Sequence, residues 1–147
     1  MLSKNIAQIQ ACFPEIYFAC HTSHQAEDLL GLTARDGTLL AHIAGLDGIE
    51  TGALARHLGR AKSTLSAALK KLEALGLVLV ERPAGDGRRR VLRITEKGRE
   101  YVSRTSVLET DRLRAVLGLL GESDQAAAVR GLQILAAACR TFQGEKE

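Results

Sequence analysis

The sequence has no tryptophan, one methionine and two prolines, and aromatic residues make up only 3% of it. Sandwiches and barrels lean on aromatic and β-branched packing, so a chain rich in Ala and Leu points to a helical protein of aliphatic layers. Three cysteines, Cys12, Cys20 and Cys139, are too few and odd in number for a disulfide framework. No apolar run approaches the roughly 18 residues of a membrane span. The start, Met1-Leu-Ser-Lys-Asn-Ile, lacks a basic stretch leading into an apolar one, so no signal peptide is predicted. A soluble cytoplasmic protein is expected.

Catalytic signatures are missing as well. There is no Gly-x4-Gly-Lys phosphate loop, no Gly-x-Ser-x-Gly elbow and no His-Glu-x-x-His pair. Glu27 and Asp28 are adjacent, so on a helix they point in different directions and read as a solvated face. The expectation is a protein that is no enzyme, with no cofactor and no metal.

What is present is a helical pattern with a basic centre. The 147 residues, 46% of them hydrophobic, suffice for one domain with its own core. Net charge is only +3, yet residues 51–99 hold twelve Lys and Arg against four Asp and Glu, and the flanks hold eight against thirteen. A basic centre between acidic flanks suits a polyanion that meets the middle of the chain.

Residues 3–20 place Ile6, Ile9, Phe13, Ile16 and Tyr17 at helical spacing. Pro14 interrupts them, so this helix is kinked there or begins near Pro14 after an extended arm. Thr33 followed by Asp36 is a capping signal, with Leu39, Leu40, Ile43 and Ala44 at core spacing behind it. Thr51 is expected to cap a short helix closed by Gly59. The next helix runs from Lys62, with Leu65, Leu69, Leu72 and Leu75 as its buried stripe, to a stop at Gly76.

Leu77–Arg82 and Arg90–Ile94 read as the strands of a hairpin around the turn residues Pro83–Gly87. Thr95 then caps a long helix through Leu120, and a last helix begins near Ser123 and carries Val129, Leu132, Leu135, Cys139 and Phe142. The predicted fold is mainly α, a winged helix-turn-helix within an α+β class.

Residues 51–75 have the helix-turn-helix layout. A major groove admits one α-helix and is read by residues near that helix's start. Lys62, Ser63, Thr64 and Ser66 stand there, and Lys70 is further along. Taken alone, this would be an ordinary amphipathic helix. The hairpin changes the balance: it carries Arg82 at its base and Arg88, Arg89 and Arg90 at its tip. An arginine there can enter a minor groove. Asp86 is expected to orient the Arg88 guanidinium. A wing built for docking proteins has no need of three arginines in a row, which separates duplex DNA from protein as the partner.

These residues carry a resemblance. Leu32-Thr33-x-x-Asp36 opening a helix, the span Thr51 to Gly76, and Asp86-x-Arg88-(x)3-Leu92-x-Ile94-Thr95 resemble the MarR (multiple antibiotic resistance regulator) family, over roughly residues 30–120. The resemblance implies a homodimeric transcriptional regulator, usually a repressor, on a palindromic operator. It also implies a small-molecule effector between the dimer helices and the winged part. The chain then divides as one domain, 1–147, with dimerisation helices in 1–30 and 97–147 and the winged part in 31–96. A C2 dimer matches a palindromic site. Three departures stand out. Pro14 falls inside the expected first helix. Ala61 occupies the place of the family's Ser-like cap, to be replaced by Ser63 or the Arg60 region, and the segment before Thr33 is short.

A sensing alternative rests on Cys12, Cys20, His21 and His24. Cys20 and His24 are four apart, a spacing that would suit zinc on a helix. Cys12-Phe13 with Tyr17 is similar to the peroxide-sensing cysteine of some relatives. Reactivity of that kind needs a depressed thiol pKa and access.

Overall fold

The computed structural model describes residues 1–22 and 30–144. Its elements are α1 (Leu2–Cys20), α2 (Ala34–Gly45), α3 (Thr51–Leu58), α4 (Lys62–Ala74), β1 (Val78–Glu81), β2 (Val91–Ile94), α5 (Glu96–Thr105), α6 (Thr110–Leu117) and α7 (Glu122–Gly144). The two strands pair antiparallel, Val78 opposite Ile94 and Glu81 opposite Val91. Residues 48–51 lie along the free edge of β2. Gly48 N donates to Leu92 O, Leu92 N to Ile49 O, and Thr51 N to Arg90 O, at 2.9, 2.9 and 3.0 Å. The hairpin is thus tied to the start of α3 by backbone.

The capping signal at α2 is realised in full. Thr33 Oγ1 accepts from Asp36 N at 3.1 Å, and Asp36 Oδ2 accepts from Thr33 N at 3.0 Å. The same carboxylate takes Lys71 Nζ at 2.9 Å, which also donates to Gly31 O. Burial pushes the Asp36 carboxyl up, but the hydrogen bonds from Lys71 and Thr33 outweigh it and hold the group below its ordinary value. Lys71 therefore fastens α4 to the start of α2. At the far end of α4, Gly76 takes φ +70°, a conformation that favours glycine. Thr95 Oγ1 caps α5 by accepting from Gly98 N at 3.0 Å, and donates to Gly76 O and Leu77 O.

The core lies inside the winged part. Leu39, Leu40 and Ile43 of α2 meet Leu54 and Leu58 of α3, Leu65, Leu69 and Leu72 of α4, and Leu77, Val78, Leu92 and Ile94 of the hairpin. Each such side chain removed from water contributes about 1.5–3 kcal/mol.

Two expectations are corrected, and one alternative at Pro14 is excluded: helix α1 is continuous through Pro14, with no extended arm before it. Glu50, not Thr51, is the N-cap of α3, and the Thr51 hydroxyl turns to Arg90 O at 3.4 Å. The long helix after Thr95 is two helices. Residues 107–109 leave helical geometry because their backbone pairs with the end of α1: Thr22 N donates to Val107 O at 3.0 Å and Glu109 N to Cys20 O at 2.7 Å. Many apolar residues of the flanks are exposed in the single chain. These include Phe13, Phe18, Leu132, Ile134 and Phe142, and Cys139 beside them.

Candidate nucleic-acid interface

Helix α3, the first turns of α4 and the hairpin enclose an open cleft of about 1100 Å³. Its basic lining is Arg56, Lys62, Lys70, Arg82, Arg88, Arg89 and Arg90, with Glu50 and Glu73 the carboxylates among them. Ser63 and Ser66 also face it. Of the residues expected to meet DNA, eight thus share one surface. Thr64 is exposed on α4 but does not line the cleft.

Local chemistry explains the placement. Gly59 ends α3 in the left-handed region, φ +62°, so the chain turns sharply and α4 can begin at Lys62. Ala61 precedes α4 with no side-chain cap, and neither Ser63 nor Arg60 replaces it. The first amides of α4 are left for water or an anion oxygen. Lys62 lies back over α3: a methyl group at Gly52 would come within 3.2 Å of Lys62 Cε and 3.7 Å of Arg56 Nη1. Two cations therefore sit together over the first turn of α3, where the helix itself presents positive charge.

The wing tip is a pair of turns. Asp86 N donates to Pro83 O at 3.5 Å around Gly85, φ +93°, and Arg89 N donates to Asp86 O at 3.2 Å. Asp86 Oδ1 accepts from the backbone amide of Arg88 at 3.0 Å, not from its guanidinium. A short carboxylate two residues back reaches the main chain first, as in an Asx turn. The Arg88 side chain is exposed and carries no ion pair among the described residues. Arg89 differs: its Nε donates to Glu50 Oε1 at 2.7 Å. Arg56, Glu50 and Glu73 escaped sequence reading. The polar face of α3 was the available signal for Arg56.

The proposed sensing residues do not converge. Cys12 is exposed on α1, and Cys20 is buried, 1% accessible. Eight residues along one helix separate them by about 12 Å. His21 Nδ1 lies 3.2 Å from Phe18 O, and its ring stacks on Tyr17. His24 falls outside the described residues. Among the described residues, no group of three or more His, Cys, Asp or Glu side chains could hold a metal ion.

A histidine pair was missed: His42 of α2 and His57 of α3 approach with ring nitrogens 3.3 Å apart. Burial first, then the positive charge of His57, Arg140 and Arg60, holds His42 below its ordinary value. A second cleft, of about 520 Å³, lies where α5, α6 and α7 meet, lined by Val102, Leu108, Leu113, Leu117 and Gln125 among others. Among the described residues, no helix is long and apolar enough to cross a membrane.

Comparison with known proteins agrees with this architecture. The family model described as the MarR family matches residues 30–89. The transcriptional regulator HosA of Escherichia coli O127:H6 is 31% identical over 108 residues, 74% of this chain and 80% of that protein. Among solved structures, a mutant of MepR from a multidrug resistant S. aureus clinical isolate superposes with a TM-score of 0.58 at 19% identity, over 95% of this chain and 97% of the other. Streptococcus pneumoniae FabT, solved in complex with DNA, superposes with a TM-score of 0.55 at 15% identity, over the whole of both chains. With its two-stranded wing, its helix-turn-helix and this relationship to HosA, the chain belongs to the MarR family of transcriptional regulators.

Proposed function

We propose that the chain is a DNA-binding repressor that holds a palindromic operator as a homodimer and is released by a small-molecule effector. The observation that carries this is the cleft: seven basic side chains from three separate elements face one open surface beside the uncapped start of α4. Ser63 and Ser66 would read base edges in the major groove while Arg88 enters the adjacent minor groove. The FabT complex with DNA supports the same use of this fold. The helices α1 and α7 supply the second half of the reading. They expose Ile6, Ile9, Phe13 and Ile16 on one, and Val129, Leu132, Leu135 and Phe142 on the other. Such faces suit burial between two copies, in the arrangement a palindrome demands.

The effector would enter the apolar cleft between α5, α6 and α7 and favour a dimer whose α4 helices are wrongly spaced. The protein would act in the cytoplasm, where its operator lies, and without catalysis. A thiol or zinc switch at Cys20 fits less well, since that thiol is sealed from solvent. Protein docking leaves the crowd of arginines unused.

Selection of bound duplexes from a random pool, followed by titration at several salt concentrations, tests the reading. Half-sites with two-fold symmetry and a steep fall of affinity with salt are expected. Arg88→Ala is expected to weaken binding to every sequence and flatten that fall, whereas Ser63→Ala changes which sequences are selected. A monomer indifferent to duplex DNA at low ionic strength would overturn it.

A further inference from the structure

The basic cleft contains a carboxylate that stands at the N-cap of α3 without capping it and lies outside the core. Glu50 precedes α3, yet its side chain makes no capping hydrogen bond to the helix. It reaches instead across 39 positions of sequence to Arg89, Oε1 to Nε, at 2.7 Å. Both side chains remain about half exposed, 46% for Glu50 and 50% for Arg89. Arg56 and Lys62 line the same cleft. The backbone fixes the encounter, since Thr51 N is held by Arg90 O at 3.0 Å. The two partners are thus brought together by their neighbours.

A carboxylate so placed does two things to an approaching duplex. It neutralises one of the three tip arginines, and it repels phosphate directly. Sequence-independent binding consists almost wholly of phosphate contacts with Lys and Arg. Base reading by α4 does not depend on Arg89. A charge that subtracts from the first and leaves the second alone raises the ratio between them.

We infer that Glu50 is an electrostatic brake in the DNA cleft: by holding Arg89 away from phosphate it suppresses sequence-independent affinity and so serves as a specificity-determining residue. This rests on the DNA-binding function proposed above. It makes the adjacent arginines unequal, with Arg88 on phosphate or groove and Arg89 on protein.

The test compares wild type with Glu50→Gln, Arg89→Gln, the double variant and Arg88→Gln. Fluorescence anisotropy reads binding to the selected duplex and to a scrambled one over a range of salt. Thermal unfolding confirms that each variant is folded. Glu50→Gln is expected to bind the scrambled duplex about two- to fivefold more tightly, with a salt slope steeper by about 0.9 as Arg89 gains a phosphate. Its specificity ratio falls. Arg89→Gln, which leaves Glu50 unpaired, weakens binding with an unchanged slope. The double variant returns close to wild type. Arg88→Gln flattens the slope by about 0.9.

The inference is overturned if Glu50→Gln binds more weakly or equally, which would make the pair a structural tie. It is overturned too if Arg89→Gln flattens the slope as Arg88→Gln does. Should wild type bind neither duplex, the proposed function fails. A wild type that binds beside a Glu50→Gln variant that gains nothing removes the brake alone.

Discussion

The winged centre and the flanking helices of this chain are built on opposite principles. Apart from Cys20, every buried hydrophobic residue among those described lies between Leu39 and Ile94. Helices α1 and α7 have comparable apolar content, but Phe18 is 68% and Ile134 61% accessible. The centre closes around its own side chains, while the flanks present apolar surface that no other described residue covers. Helical periodicity is the same in both. What differs is whether a partner face exists among the described residues.

The sharpest way to break this contrast is to truncate one leucine in each region. Leu72→Ala, at a position with no accessible surface, is expected to cost about 2–5 kcal/mol in urea unfolding. Leu132→Ala on α7 is expected to alter the concentration dependence of unfolding far more than the stability of a single chain. Sedimentation at falling concentration checks the second half. Equal effects of the two at high dilution would erase the distinction.

A smaller effect sharpens the packing of the centre. A methyl group at Gly98 would meet Leu77 O, part of the backbone, at 2.3 Å and Ile94 Cδ1 at 2.6 Å. Gly98→Ala therefore forces α5 off the hairpin, with an expected loss of about 1–3 kcal/mol by thermal or urea unfolding. Gly131 on α7 has open space around it, so Gly131→Ala is expected to be neutral or stabilising.

The carboxylate that joins α2 to α4 gives a pH-dependent version. Asp36 is held below its ordinary value of 3.8. Its contribution is thus fully present above that value and lost as pH falls through the lower folded one. Asp36→Asn is expected to cost about 1–3 kcal/mol at neutral pH. The gap to wild type is expected to narrow below about pH 4. A gap constant down to acid pH would show that the ion pair with Lys71 contributes nothing.

The smallest effect concerns His42, held below 6.5. Here the unfolded chain takes up the proton first. Stability is therefore full above 6.5 and declines as pH falls from there towards the folded value. His42→Gln is expected to remove that decline, measured as unfolding midpoint between pH 7.5 and 5.5.

Much of the centre was legible because its signals are local. Thr33 and Asp36 are three residues apart, Gly59 and Gly76 end helices within their own turns, and the wing's arginines follow their glycines directly. The unread parts depend on partners far along the chain. Thr51 resembles a cap until Arg90 O takes its hydroxyl. The break at 107–109 is decided by Cys20 and Thr22. Arg89 reads as a free cation until Glu50 is brought beside it. Spacing also says that Leu132 and Phe142 share a helical face, but not that the single chain leaves it bare.

The short backbone pairing between the end of α1 and residues 107–109 has one more consequence. It holds the end of α1 beside the segment that leaves α5, so the first helix is tied by backbone to the chain that follows the winged centre.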